Sequence, residues 1–275
     1  MSGTPLKEQA TVADGRADRR TVTTPVSRMA ALARAELTLL GRSRSTLVTA
    51  VFMPLVLPVS LAPVIEDMNA EDAGLGVGEV LLPAAIGFSL LFGVYAALSA
   101  IYTARREELV LKRLRTGELR DAEILAGSAL PVLATGLAQS LVLVAGATVL
   151  LDVPAPVAPH LAVLGLLSGL VMCAAFAAVT ATVTRSVESA QVTTAPMVLV
   201  SMIGSGLAVP LELLPDRLAA VCELLPLSPV ILLVRGGWTG DLSAYEVLRA
   251  LAIALAWTLP AVFAVRRWFR WDPRR

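Results

Sequence analysis

The chain has 275 residues, of which 56% are hydrophobic and 16% are charged, and its net charge is +1. Soluble globular proteins carry about a quarter charged residues, so this shortfall, with a mean hydropathy of +0.73, excludes an ordinary soluble protein. The single histidine and two cysteines form no Cys/His cluster, which excludes most structural metal sites and Cys/His catalytic centres. We therefore expect no metal, cofactor or catalytic site on this chain.

The N-terminal region is expected to remain outside the membrane. Residues 1–25 are polar and contain no apolar core of a signal peptide, so they predict a disordered cytoplasmic tail. Residues 26–44 predict a basic amphipathic helix at the membrane interface. Glu36 projects into the apolar arc of that helix, where it either reaches water or pairs with a cation on a neighbouring element.

Six long apolar runs follow, each of the roughly 17–25 residues that cross a hydrocarbon core of about 30 Å. They predict an all-α, polytopic membrane protein. The six predicted transmembrane helices lie at about 47–65, 80–103, 124–148, 161–184, 190–209 and 247–265. The Gly165–Gly169 pair in the fourth run either marks close helix packing or is one of the chance matches that are common in apolar helices. Together these elements predict one transmembrane domain over 26–270, followed by a short tail at 271–275.

A highly charged stretch, Ala104–Glu123, separates the second and third runs. Eleven of its twenty residues are charged, so it is an aqueous connection. Its pattern predicts a short amphipathic helix at about 105–115, a break at Thr116-Gly117, and a new helix that begins near Asp121. Such a helix fits either a docking element for a soluble partner or an idle helix in the headgroup region.

The segment 210–238 is too apolar for a free loop and too interrupted for a span. Prolines divide it into pieces of about ten residues, which favours a pair of short re-entrant or interfacial helices. The alternative, a seventh span, requires an eighth crossing as well.

Basic residues predict the orientation. Twenty Lys and Arg residues lie on the side of the N-terminus, and three, Arg217, Arg235 and Arg249, lie on the opposite side. The positive-inside rule then places both termini and the charged stretch in the cytoplasm. The excess of Arg over Lys, with abundant Ala, is typical of a GC-rich bacterial source and hence of a bacterial cell membrane.

The energy source is expected to lie on another chain. No Asp, Glu, Lys or Arg lies in the middle of a predicted span, which argues against proton- or sodium-driven transport. No P-loop is present, since neither Lys7 nor Lys112 follows the required glycine pattern. Polar residues within the spans either line a cavity or make interhelical hydrogen bonds; they are Gln139, Ser140, Thr193, Thr194 and Ser201.

Two motifs carry a family resemblance. REELVLKRLRTGELRDAEILAG at 106–127 and LELLPDRLAAVCELLPLSPVILLVRGG at 211–237 resemble the signature segments of the membrane subunit of type-2 ATP-binding-cassette exporters. The resemblance implies a permease in a homodimer or a heterodimer, bound to two cytoplasmic P-loop ATPase subunits that hold the ATP. It also implies that the helix around 106–115 is a coupling helix and that the segment 211–237 is an outer re-entrant pair.

The residues expected to contact the ATPase are Glu107, Glu108, Leu109, Arg113, Leu114 and Arg115. Glu36 is expected to help pair the interfacial helix with the coupling helix. The first functional hypothesis is an exporter of an amphipathic small molecule, such as a drug or an antibiotic. The alternative is a non-transporting membrane anchor or sensor whose cytoplasmic helix docks a soluble partner. A membrane-embedded enzyme is disfavoured because no intramembrane His/Asp/Glu constellation exists.

Overall fold

The computed structural model describes residues 77–110, 120–150, 153–208, 211 and 214–269. In these ranges every main regular element is a helix, as the all-α prediction requires. The elements are α1 (Val77–Phe88), a π-helical segment (Ser89–Ala96), α2 (Ala97–Glu107), α3 (Asp121–Leu150), α4 (Pro159–Val183), α5 (Val187–Gly204), α6 (Asp216–Cys222), α7 (Ser228–Thr239) and α8 (Ala244–Trp268).

The helix formed by α1, the π segment and α2 lies at the centre of the bundle. In its most apolar window 83% of the residues are buried, against 17% in α8. Its first two parts, α1 and the π segment, are strongly apolar, as expected for a helix surrounded by other helices. The π segment, which is eight residues long, widens the helix in its middle. Such segments are rare and are frequently found at functional sites.

Four described helices are long and apolar enough to cross a membrane: Val80–Glu107, Asp121–Val149, Pro159–Val183 and Ala244–Trp268. They cover the predicted spans at 80–103, 124–148, 161–184 and 247–265. The protein is therefore a multi-pass membrane protein.

The predicted fifth span, 190–209, coincides with α5, but α5 is not among those four helices. It is 18 residues long and begins with polar residues, including Glu188 and Gln191, which lower its hydropathy. Ser186 and Ser189 form a reciprocal capping box at its start, which satisfies two backbone N–H groups that a helix start leaves without partners.

The predicted Gly165–Gly169 packing motif is confirmed as a close contact between α4 and α7. A Cβ at Gly165 would lie 2.9 Å from Leu233 Cβ and 3.0 Å from the Val230 carbonyl oxygen. A Cβ at Gly169 would lie 2.8 Å from Val230 Cγ1. Because glycine has no side chain, the short helix α7 lies directly against α4, and most of α7 is buried.

Several predictions fall outside the described residues. They are the tail at 1–25, the interfacial helix at 26–44 with Glu36, the first span at 47–65, the break at Thr116-Gly117 and the tail at 271–275.

Candidate coupling site at the basic end of the bundle

One end of the bundle, which we call the basic end, is where α2 ends, α3 begins, α4 ends, α5 begins and α8 ends. Its described basic residues are Arg105, Arg106, Arg120, Arg185, Arg266 and Arg267. Tyr102 of α2 joins two of these helices, since its hydroxyl donates to the Leu125 carbonyl at 3.0 Å and its ring meets Phe269 edge-on with centroids 6.5 Å apart. The start of α3 and the end of α8 are thus both held against α2.

Arg106 is the most unexpected residue of this end. Its side chain is fully buried. Nη1 donates to the Ala181 carbonyl oxygen at 2.5 Å, and Nη2 donates to the Thr184 carbonyl oxygen. Both acceptors lie at the C-terminus of α4, where carbonyl groups lack partners inside the helix and the helix dipole is negative. Arg106 therefore both caps α4 and fastens the end of α2 to it.

The charge pattern predicts Arg106 only as one of the charges of an aqueous stretch, and its structural role is not predicted. A signal was present. Ser99, Thr103 and Arg106 are spaced i, i+4 and i+7, which places three polar residues on one helical face. All three are fully buried, so this face packs inward, and the Thr103 hydroxyl donates to the Ser99 carbonyl at 2.8 Å.

The chain breaks directly after Arg106. Helix α2 ends at Glu107, and Leu109 has a φ of 59°, in the left-handed region that non-glycine residues rarely adopt. The turn is closed by bonds from Glu108 N–H to the Ala104 carbonyl (2.9 Å) and from Leu109 N–H to the Arg106 carbonyl (3.1 Å). The expected helix at 105–115 is thus divided, because Arg105–Glu107 complete α2 and the backbone turns at Leu109.

Three of the six predicted contact residues, Glu107, Glu108 and Leu109, are exposed and lie together at this turn. The other three, Arg113, Leu114 and Arg115, lie outside the described residues. The predicted start of the next helix is confirmed, since α3 begins at Asp121. There the backbone N–H of Arg120 donates to Glu123 Oε2 at 3.0 Å, which satisfies a free donor at the helix start.

The predicted cavity residues lie in α3 and α5. Gln139, Ser140, Thr194 and Ser201 are buried, and Thr193 is half-buried. Three of the hydroxyls bond to carbonyls of their own helix: Ser140 to Gly136 (2.9 Å), Thr193 to Ser189 (2.8 Å) and Thr194 to Gln191 (3.0 Å). Back-bonding of this kind satisfies a hydroxyl without a partner on another helix. Cavity lining by these residues stays a prediction.

At the opposite end of the bundle, α6 and α7 lie where the outer helix pair was expected. Pro215 precedes the first turn of α6 and Pro229 lies in the first turn of α7, positions where proline is well tolerated. Arg249 forms an ion pair with Glu223, and 43% of its side chain remains exposed. Re-entry of this pair into a membrane stays a prediction.

The outer segment is held on two sides. Trp257 Nε1 donates to the Leu224 carbonyl at 2.8 Å, which ties the end of α6 to α8. Trp238 Nε1 donates to the Pro154 carbonyl at 3.1 Å, which ties α7 to the turn before α4. These bonds fix α6 and α7 to different neighbours.

The helical bundle, with four apolar helices and a basic end from which a charged stretch leaves, defines a multi-pass membrane protein. The sequence profile of the ABC-2 type transporter family matches residues 28–237. The chain belongs to this family, and it is the membrane subunit, or permease, of an ABC transporter. Membership implies a separate ATP-binding subunit as its partner. No match was found among curated proteins.

Proposed function

We propose that this chain is the permease of an ATP-driven exporter in a bacterial cell membrane, that it works as a homodimer with two cytoplasmic ATPase subunits, and that it moves amphipathic small molecules such as drugs or antibiotics. The single observation that supports the coupling role most strongly is the turn at Glu107–Leu109. It presents three exposed side chains directly beside Arg106, which is bonded to the end of α4.

Two features of the sequence support the proposal that ATP is hydrolysed on another chain. The sequence has no P-loop, and its predicted spans have no charge in their middle. ATP hydrolysis on a second chain must then reach the helices through a contact outside the membrane. The charged stretch at 104–123 provides that contact, since it joins two of the described spans at the basic end. Family membership favours this role over a non-transporting anchor.

The distribution of basic residues supports the proposed orientation of the chain in the membrane. The side of the membrane that holds twenty of the 23 Lys and Arg residues is proposed to be the cytoplasm, where ATP is available to the partner. The apolar character of the spans, with a few hydroxyl and amide groups, supports an amphipathic substrate. The exposed apolar side chains of α3, such as Val142 (60%) and Val149 (77%), offer a surface for lipid or for a second copy.

Co-purification of a P-loop ATPase with this chain from native membranes tests the coupling role. The Arg113→Glu/Leu114→Asp variant reverses one charge of the stretch and replaces one apolar side chain by a carboxylate. ATPase binding and transport are therefore expected to be lost. The matched control is Arg217→Glu/Leu218→Asp, which makes the same changes in an Arg-Leu pair on α6, at the opposite end. Equal ATPase binding and transport by the two variants would exclude a coupling role for the stretch.

Inside-out membrane vesicles test the direction and the substrate. An exporter accumulates a fluorescent amphipathic compound in such vesicles only when ATP is supplied outside. Vesicles that contain the permease without its ATPase provide the control. Single-molecule photobleaching of a fluorescent fusion, with two steps expected for each complex, tests the dimer.

A further inference from the structure

We propose that Arg106 is a positioning residue that transmits the movement of the charged stretch to α4 and α5, so that these two helices move with the end of α2. The inference rests on the proposed function and assigns to one buried side chain the mechanical link inside the permease. Three observations carry it: the burial of Arg106, the position of its two acceptors, and the short connection from those acceptors to α5.

The burial of Arg106 shows that its two bonds cannot be exchanged freely for bonds to water. A guanidinium group away from solvent requires compensation by acceptors, and removing such partners is costly. Here the acceptors are the carbonyls of Ala181 and Thr184. Because both are backbone atoms at the end of one helix, any displacement of the guanidinium group displaces the end of α4.

The two acceptors also lie next to the start of α5. Helix α4 ends at Val183, and only Thr184, Arg185 and Ser186 separate it from α5. Ser186 is fixed in the capping box of α5, where its hydroxyl accepts from Ser189 N–H at 3.3 Å. This connection is short and hydrogen-bonded, so the end of α4 and the start of α5 form a single unit with the Arg106 side chain.

On the other side, Arg106 lies three residues before the left-handed turn at Leu109. A force applied to the exposed residues of that turn reaches Arg106 through less than one helical turn of backbone. It can then pass to α4 through the two hydrogen bonds, or along α2 through its backbone. The α2 route leads towards the π segment, in the middle of the bundle. The side-chain route is the shorter one to α4 and α5.

The first test compares Arg106→Gln with Arg105→Gln in the complex of permease and ATPase. Both variants remove one arginine from the last turn of α2, but Arg105 is only half-buried. Arg106→Gln is expected to retain ATPase binding and ATP hydrolysis while the amount transported per ATP falls by roughly tenfold, about the factor that one charge-assisted hydrogen bond contributes to an equilibrium. Arg105→Gln is expected to keep the normal amount transported per ATP, because any loss of contact with the ATPase lowers ATP hydrolysis and transport together.

The second test measures the link directly and needs no known substrate. Spin labels are introduced by Ala104→Cys and Arg185→Cys, in a background with Cys173→Ala and Cys222→Ser, and their distance is compared between nucleotide-free and vanadate-trapped complexes. The distance is expected to stay constant when Arg106 is present and to change in Arg106→Gln. A second pair, Ala104→Cys with Arg217→Cys, spans the bundle and reports that trapping moves the helices.

The outcomes separate the two proposals. If Arg106→Gln transports the normal amount per ATP and its Ala104–Arg185 distance stays constant, the inference is wrong and the proposed function stands. A wild-type chain that binds no ATPase overturns both. Should Arg106→Gln not be produced in folded form, Arg106→Lys carries the test, since its ammonium group keeps the charge but cannot span both carbonyls. It is expected to lose a smaller factor in transport per ATP, and an unchanged Arg106→Lys would overturn the inference.

Discussion

Replacing Gly237 by alanine tests the close packing of α7 against α4. A Cβ at this position would lie 2.6 Å from Ala162 Cβ, 2.7 Å from the Ala162 backbone nitrogen and 3.0 Å from Ala162 Cα. Two of these three atoms belong to the backbone, so no side-chain rotation relieves the contact. Helix α7 must therefore move away from α4.

The size of the effect follows from that displacement. Ordinary van der Waals contact begins at 3.4 Å, so α7 must retreat by roughly 0.8 Å, which forfeits a substantial part of the dispersion energy along its buried face. Overpacking of this kind costs about 1–3 kcal/mol, whereas alanine gains about 0.5–1 kcal/mol over glycine inside a helix. We expect Gly237→Ala to lower the free energy of unfolding by about 1–2 kcal/mol.

Gly146 of α3 provides the matched control, because a Cβ there meets no atom within 4 Å. Gly146→Ala is expected to stabilise the protein by about 0.5–1 kcal/mol. The midpoints of thermal unfolding in detergent, followed by tryptophan fluorescence, compare the two variants with the wild type. Ala162→Gly added to Gly237→Ala is expected to restore little stability, since the backbone contacts remain. A Gly237→Ala midpoint at or above the wild-type value, with the Gly146→Ala midpoint raised, would refute the packing.

Three further substitutions test local features of the two ends. Leu109→Gly is expected to raise the free energy of unfolding by about 1 kcal/mol because glycine adopts the left-handed backbone without strain. Leu109→Ala keeps the strain and is the control. Equal unfolding midpoints of the two variants would count against strain at Leu109. Trp257→Phe removes the donor to the Leu224 carbonyl and is expected to lower the free energy of unfolding by about 1 kcal/mol. It is also expected to speed hydrogen exchange in residues 216–228, and unchanged exchange there would show that the bond does not form. Glu123→Ala removes the acceptor for Arg120 N–H and is expected to destabilise the start of α3 by about 1 kcal/mol, with Glu123→Gln close to wild type; hydrogen exchange at residues 120–125 measures the difference.

The features that the sequence predicts well are those set by local chemistry. Long apolar runs locate the helices, because a span must satisfy its own backbone in lipid. Asp121 predicts the start of α3, because a carboxylate is favourable at the positive end of a helix dipole. The glycine pair of α4 predicts close packing, although only the structure identifies α7 as the helix that packs against it.

The features that the sequence does not predict depend on contacts between distant residues. The local sequence predicts a surface charge at Arg106, because the carbonyls that accept its hydrogen bonds lie 75 and 78 residues away along the chain. The turn at Leu109 has no local signal, since leucine is not a residue that favours a left-handed backbone. The break was therefore expected at Thr116-Gly117, where glycine is present. The Arg249–Glu223 pair was missed for the same reason as Arg106, since it joins α8 to the end of α6.

In the proposed mechanism, a separate ATPase drives this permease through the stretch at 104–123. The most direct measurement is the amount of P-loop ATPase that co-purifies with the tagged chain from native membranes, compared between the wild type, Arg113→Glu/Leu114→Asp, and the control Arg217→Glu/Leu218→Asp. We expect one ATPase per permease for the wild type and the control, and loss of the ATPase from the first variant. A wild-type chain that purifies without any ATPase, or a first variant that retains it fully, would contradict coupling through this stretch.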